Sequence, residues 1–419
     1  MTVHHGAMST DITRGAGTDA AFTLVMNPLA DRGAAWTEAQ NAILSDKGLD
    51  LARHTIAGWP GHAPTPLVNL PALAASLGVA DLRYKDEGGR FGLGSFKALG
   101  GAYAVARLLA AEIGKALGRD VTMDEVASRA HPDEAARISV CCATDGNHGR
   151  SVAWGARNFG CKCNIFIHAS VSQARKSAIE SYGATVIRCA GNYDDSVRAA
   201  QQQAGENGWF VVSDTSYAGY MDIPRDVMQG YEVMAAEAFD AMDTVPTHVF
   251  LQTGVGGMAA AVAAQAVRRW GAARPVIILC DPDRSACWVE TIRAGKPTAV
   301  GGDLDTLMAG LACGEVSALA WDILRTHGDA VMALRDAAAV SAMRLLARPE
   351  SDPPIVAGES AVAGLAGLIA AMGDDDAKAS LGLDGTSRVM VFGTEGDTDA
   401  ALYHKLVGAT GDAVRAGTA

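Results

Sequence analysis

"THVFLQTGVGGMAAAV", residues 247–262, passes from an apolar, β-branched stretch through a glycine-rich turn into an alanine-rich segment. Strand, glycine turn and helix in that order form the repeating unit of a parallel sheet covered by helices. The unit recurs outward along the chain. Strands are expected at 137–144, 163–168, 185–190, 209–214, 247–254, 275–281 and 388–394, and helices at 149–159, 172–182, 193–206, 257–270 and 360–372. Residues 111–136 read as a polar helical excursion. The fold class is therefore α/β, and 419 residues suit two domains or one large α/β unit.

Composition narrows the function. Thirty-five Lys and Arg stand against 47 Asp and Glu, a formal charge of -12, with no basic run able to track a phosphate backbone. Nucleic acid is excluded as an expected partner. No apolar run approaches the roughly 20 residues that span a bilayer, and "LAGLIAAM" (365–372) is far too short. Residues 1–19 lack an apolar signal core and read as a flexible lead, so a cytoplasmic protein with no membrane partner is expected. The eight cysteines make no CxxC pair and have no zinc-finger spacing. Reduced thiols and no metal are expected, with a conditional Cys287–Cys313 disulfide left open.

Several expected strands end in polar or glycine-rich turns: TDGNHG, SDTSY, TGVGGM and GTEGDT. In open parallel sheets ligands bind at these carboxyl ends, so the turns should surround one crevice. Gly254, Gly256 and Gly257 would let backbone N–H groups approach a phosphate at a helix N-terminus, although a plain strand-to-helix turn has the same pattern. "CATDGNHGRSVAW" (142–154) offers Thr144 or Asp145 as a helix cap, which leaves Asn147 unexplained. Thr394 supplies a neutral hydroxyl at another strand end. In "RFGLGSFKALGGAY" (90–103), Lys97 is followed by residues of almost no bulk. Tight packing around a surface lysine would explain this, as would clearance for a flat cofactor. A lysine, a phosphate loop, an amide and a hydroxyl together suit pyridoxal 5'-phosphate.

With SFK at 95–97, GNH at 146–148 and GVGG at 254–257, the sequence resembles the tryptophan-synthase-β-like, fold type II family of pyridoxal-phosphate enzymes. It is most similar to the diaminopropionate ammonia-lyase branch, from about Trp59 to Tyr403. The resemblance implies two open twisted-sheet α/β domains with helices on both faces and the cofactor between them. The larger would combine 20–100 with 212–419, and the smaller would be an insertion at 101–211. A homodimer is expected from the same source.

Residue by residue, the resemblance implies that Lys97 carries the cofactor and that Asn147 lies by its ring hydroxyl. Gly254, Val255, Gly256, Gly257 and Met258 would hold its phosphate, and Thr394, with Gly393 as the competing position, would meet its ring nitrogen. Thr144, Asp145, Gly146 and His148 would line the substrate, and Glu359 would cap a helix or touch the cofactor. Asp145 would take the Cα proton of a D substrate and Asp214 that of an L substrate. The implied substrate is a small amino acid, 2,3-diaminopropionate, converted to pyruvate and two ammonia. The alternative is elimination from serine, threonine or 3-hydroxyaspartate. Two departures stand out: Gly94-Ser95 where an asparagine is usual, and Asp281-Pro282 in place of Glu-Pro.

Overall fold

In the computed structural model, residues 11–14, 21–144, 146–191 and 193–419 are described. Strands β1 (Asp11–Arg14), β2 (Phe22–Met26), β3 (Leu67–Asn69) and β4 (Asp81–Asp86) come from the first part of the chain. Next follow β5 (Ser139–Ala143), β6 (Lys162–Ile167), β7 (Thr185–Arg188) and β8 (Phe210–Val211). The last four are β9 (His248–Gln252), β10 (Val276–Pro282), β11 (Ala330–Leu334) and β12 (Arg388–Gly393). They form an eight-stranded sheet, β1-β2-β11-β10-β9-β12-β4-β3, and a four-stranded sheet, β7-β6-β5-β8.

The small sheet is parallel throughout. In the large sheet β11, β10, β9, β12 and β4 are parallel, flanked by antiparallel β2 and β3. β9 and β11 are buried at every position, as central parallel strands covered on both faces should be. Each large apolar side chain removed from water there contributes about 1.5–3 kcal/mol.

Five strands, β1 to β4 and β11, escape the sequence pattern, and for β4, β11 and β1 the physical reason is plain. β4 reads Asp-Leu-Arg-Tyr-Lys-Asp, yet Lys85 is buried because its ammonium meets Glu237 at 2.9 Å and the Thr65 carbonyl at 2.7 Å. β11 is five residues of uniform burial, without alternation to announce it. β1 lies inside the expected flexible lead, where Asp11 pairs opposite Val25 and bonds Arg293 at 2.9 Å, covering the edge that β2 would otherwise expose. The remainder of that lead falls outside the described residues. Expected strand 209–214 shortens to β8, and its last residues bend away as the loop carrying Asp214.

The helix Lys97–Leu117 packs between the helices Asn147–Phe159 and Asp222–Asp240. Here the small residues after Lys97 find their use. A Cβ on Gly100 would overlap the Tyr231 ring and approach the Val227 carbonyl oxygen to 2.7 Å, and one on Gly101 would overlap Ser151. The absence of bulk therefore serves helix–helix approach, and clearance for a cofactor ring does not explain it.

Candidate active site

Lys97 is the first residue of its helix, and its Nζ donates to Asp214 Oδ2 at 2.7 Å. Some 21% and 19% of the two side chains remain open, so the pair faces a crevice. Burial pushes the Lys97 ammonium down, but the Asp214 charge outweighs it, and the pKa stands above the usual lysine range. Burial likewise pushes Asp214 up, while Lys97 and then His148 hold it well below the carboxylate range. Asp214 is thus kept deprotonated. The Lys97 ammonium also lies 5.4 Å from the Phe96 ring centre and 5.8 Å from that of Tyr231.

The glycine turn follows β9 directly. Gly254 and Gly256 take φ of 55° and 98°, and a Cβ on Gly256 would overlap the Trp288 ring. The loop is braced from behind. Trp288 Nε1 donates to the Gly254 carbonyl at 3.0 Å, and the Ser317 N–H donates to that of Val255 at 2.9 Å. Asp281, one of the two departures, accepts from the Thr253 hydroxyl and from the Trp288 N–H at 3.1 Å. With carbonyls engaged outward, the first N–H groups of the Gly257–Trp270 helix lack intrahelical acceptors, the arrangement that suits an anion. Val255 and Met258 belong to the same turn, Met258 buried beneath it. Cys287 Sγ lies 3.6 Å from the Gly254 carbonyl oxygen, and Cys287 and Cys313 are not bonded to each other.

Thr394, at the end of β12, accepts from Gln252 Nε2 at 2.7 Å, so its own hydroxyl hydrogen is left for another acceptor. A pyridine nitrogen is such an acceptor. Thr144 accepts the Gly146 and Gly149 N–H groups, both at 3.0 Å, but the N-cap position expected at Thr144 or Asp145 is taken by Gly146, because the helix begins only at Asn147. Asn147 begins its helix and donates through Nδ2 to Glu395. His148 is packed, its Nε2 2.8 Å from the Val212 carbonyl oxygen, and burial lowers its pKa. Asp145 lies outside the described residues.

The turns after β5, β8, β9 and β12 thereby converge: Lys97 meets Asp214, Gln252 meets Thr394, Asn147 meets Glu395. Gln252, Glu395, Tyr231 and Arg175 were not singled out in the sequence. Their importance lies in partners distant along the chain, as with Gln252 and Thr394, and no local motif signals it.

A family model described as pyridoxal-phosphate dependent enzyme matches residues 59–393. The chain belongs to that family. Like other pyridoxal-phosphate dependent enzymes, this one has relatives of known activity. The diaminopropionate ammonia-lyase of Escherichia coli (strain K12) is 40% identical over 375 residues, 87% of this chain and 92% of that protein. That of Salmonella typhimurium (strain LT2) is 37% identical over 362 residues, 83% and 89%. The holo crystal structure of the Escherichia coli enzyme superposes with a TM-score of 0.84 at 36% identity, over 92% of this chain and 96% of that one. Its complex with an aminoacrylate-PLP azomethine reaction intermediate gives 0.82. The fold is that of the fold type II pyridoxal-phosphate enzymes.

The residues present suit pyridoxal phosphate. A lysine amine, an anion-binding turn with its carbonyls tied back, an amide, and a hydroxyl with a hydrogen to spare match the aldehyde, phosphate, ring hydroxyl and ring nitrogen respectively.

Proposed function

We propose that this pyridoxal-phosphate dependent enzyme carries out α,β-elimination on D- and L-2,3-diaminopropionate, yielding pyruvate and two ammonia. The observation that carries the reading is the Lys97–Asp214 pair at 2.7 Å, a lysine amine beside a carboxylate held deprotonated at the crevice. Lys97 would hold the cofactor, the 254–258 turn its phosphate, Asn147 its ring hydroxyl and Thr394 its ring nitrogen. Bound there, pyridoxal phosphate supplies an electron sink for the pair left at Cα when its proton departs.

Asp214 would serve as base for the L isomer, and Asp145, in the TDGNHG turn and outside the described residues, as base for the D isomer. Thr144 and Gly146 shape that turn, and His148 packs behind it. The substrate's β-ammonium brings a cation toward carboxylates, which a hydroxyl substrate lacks. Its nitrogen leaves as ammonia with the Cβ–N bonding pair. The released 2-aminoacrylate then hydrolyses in water to pyruvate and the second ammonia. The relatives' names support this substrate. The Escherichia coli enzyme is also known in complex with D-serine, which favours serine as the second reading. A cytoplasmic homodimer, the family expectation, completes the proposal. Among the described residues no helix is long and apolar enough to cross a membrane.

The assignment of the two bases is tested with Asp145→Asn and Asp214→Asn on separate isomers. General-base removal costs on the order of 100- to 10,000-fold. Asp145→Asn is expected to lose D turnover and Asp214→Asn to lose L turnover, each sparing the other isomer within about tenfold. Equal losses on both isomers would remove the two-base scheme.

A further inference from the structure

We infer that Glu395 is a positioning residue for Asn147, fixing which end of that amide faces the cofactor and tying cofactor capture to contact between the two sheets. The inference rests on the pyridoxal-phosphate site proposed above and is independent of the amino-acid substrate.

Glu395 follows Thr394 at the end of β12 and is 6% exposed. One carboxylate oxygen accepts the Ser360 N–H at 3.0 Å, and the other accepts Asn147 Nδ2–H. Its backbone is held as firmly. The Gly358 N–H donates to the Glu395 carbonyl at 3.0 Å, and Glu395 bridges to Ser95, which precedes Lys97 by two residues. Glu395 is therefore a rigid acceptor joined to the lysine-bearing turn on one side and to the 358–360 turn on the other.

Asn147 belongs to the small sheet, at the start of the helix after β5. Its contact with Glu395 reaches across to the large sheet. The two ends of an asparagine amide are nearly alike in shape, and only the hydrogen-bond network orients them. A carboxylate can only accept, so the NH2 end must face Glu395, which leaves one amide hydrogen and the carbonyl oxygen to present to the cofactor. A charged acceptor also polarises the amide, and such bonds are roughly twice as strong as neutral ones.

A neutral glutamine could hold the same turns together with less desolvation cost. The carboxylate's presence is the more telling because Glu359 is buried alongside. Burial, and next the Glu395 charge, push Glu359 up, with Arg175 of the small-sheet side opposing. Arg175 Nη2 lies 3.0 Å from Glu359, and its Nε lies 3.5 Å from Asp399. Ser172, one turn before Arg175, donates to Asp399 at 3.2 Å. The small sheet is thus held against the 358–399 region beside the very contact that orients Asn147. Two neighbouring buried acids are costly unless one does what an amide cannot. Accepting on both oxygens is that property.

A double-mutant cycle separates this from a merely structural joint. Glu395→Gln, Asn147→Ala and the double variant are compared by the dissociation constant for pyridoxal phosphate and by the ratio of visible to near-ultraviolet absorbance of the bound cofactor. Thermal unfolding reports whether each variant folds. Glu395→Gln alone is expected to weaken cofactor binding about tenfold and shift the absorbance ratio, and to add less than about twofold once Asn147 is gone. An equal loss in both backgrounds, or an unchanged affinity and spectrum in Glu395→Gln, overturns the inference. If Glu395→Gln does not fold, Glu395→Asp keeps two accepting oxygens at a shorter reach. The same non-additivity is then required of it. No amino acid enters these measurements, so their outcome is independent of the substrate reading.

Discussion

Lys97 and Asp214 bind each other through a charge-assisted hydrogen bond, and that bond sets how apoenzyme meets its cofactor. Only a neutral amine attacks an aldehyde, whereas Asp214 keeps Lys97 protonated above the usual lysine range. Capture of pyridoxal phosphate by apoenzyme should therefore accelerate about tenfold per pH unit through the neutral and mildly alkaline range. Replacing Asp214 with asparagine removes the raising charge and leaves burial, which lowers the pKa, so capture near neutrality should be faster and the slope shallower. Stopped-flow absorbance checks both, and a wild-type rate independent of pH would contradict them. Lys97, Asn147 and Thr394 drew notice in the sequence because each sits in a turn with a recognisable local pattern, and the structure brings those turns together. Gln252 was not, since its meaning is the Thr394 hydroxyl 142 residues away. The aspartates were visible only as polar residues at strand ends until the family resemblance gave them roles.

Among the elements, the β9–turn–helix unit was the most legible. The expected helix 257–270 and the observed Gly257–Trp270 coincide, because a buried β-branched run, a glycine turn and an alanine-rich stretch leave little choice. The glycines there are tightly constrained. Gly256 has φ of 98° with the Trp288 ring against it, so Gly256→Ala strains the backbone and displaces the ring together. That variant should fold yet bind pyridoxal phosphate at least about tenfold more weakly, as equilibrium dialysis would show, a loss on the scale of the strain itself. Unchanged affinity would mean that the turn does not hold the phosphate. By contrast β4 was illegible, since its buried Lys85 becomes intelligible only once Glu237 is in place beneath it. The glycines after Lys97 had two readings in the sequence, and the packing partners Tyr231 and Ser151 decide between them.

For the molecule as a whole, two sheets with the site between them make stability and cofactor binding partners, and Asp281 links them. Its carboxyl is fully buried with only neutral donors around it, and burial pushes its pKa from 3.8 up to about 7. The unfolded chain therefore releases this proton near pH 4 while the folded chain keeps it. Folding stability falls as pH rises through the window from about 4 to about 7, then levels off. Relative to Asp281→Asn, which cannot ionise, the wild-type melting temperature should drop by several degrees across that window. A constant gap between the two proteins would show that Asp281 ionises normally. The large sheet's antiparallel edges and the ion pairs that bury β4 were beyond the sequence pattern, because both arise from contacts between distant segments. The parallel core and the crevice at its strand ends were not. The most direct test of the whole account is the yield of ammonia and pyruvate from D- and L-2,3-diaminopropionate, beside D- and L-serine, with cofactor-loaded enzyme. Two ammonia per pyruvate from both diamino isomers is the predicted result; turnover confined to the serines, with one ammonia per pyruvate, would contradict it.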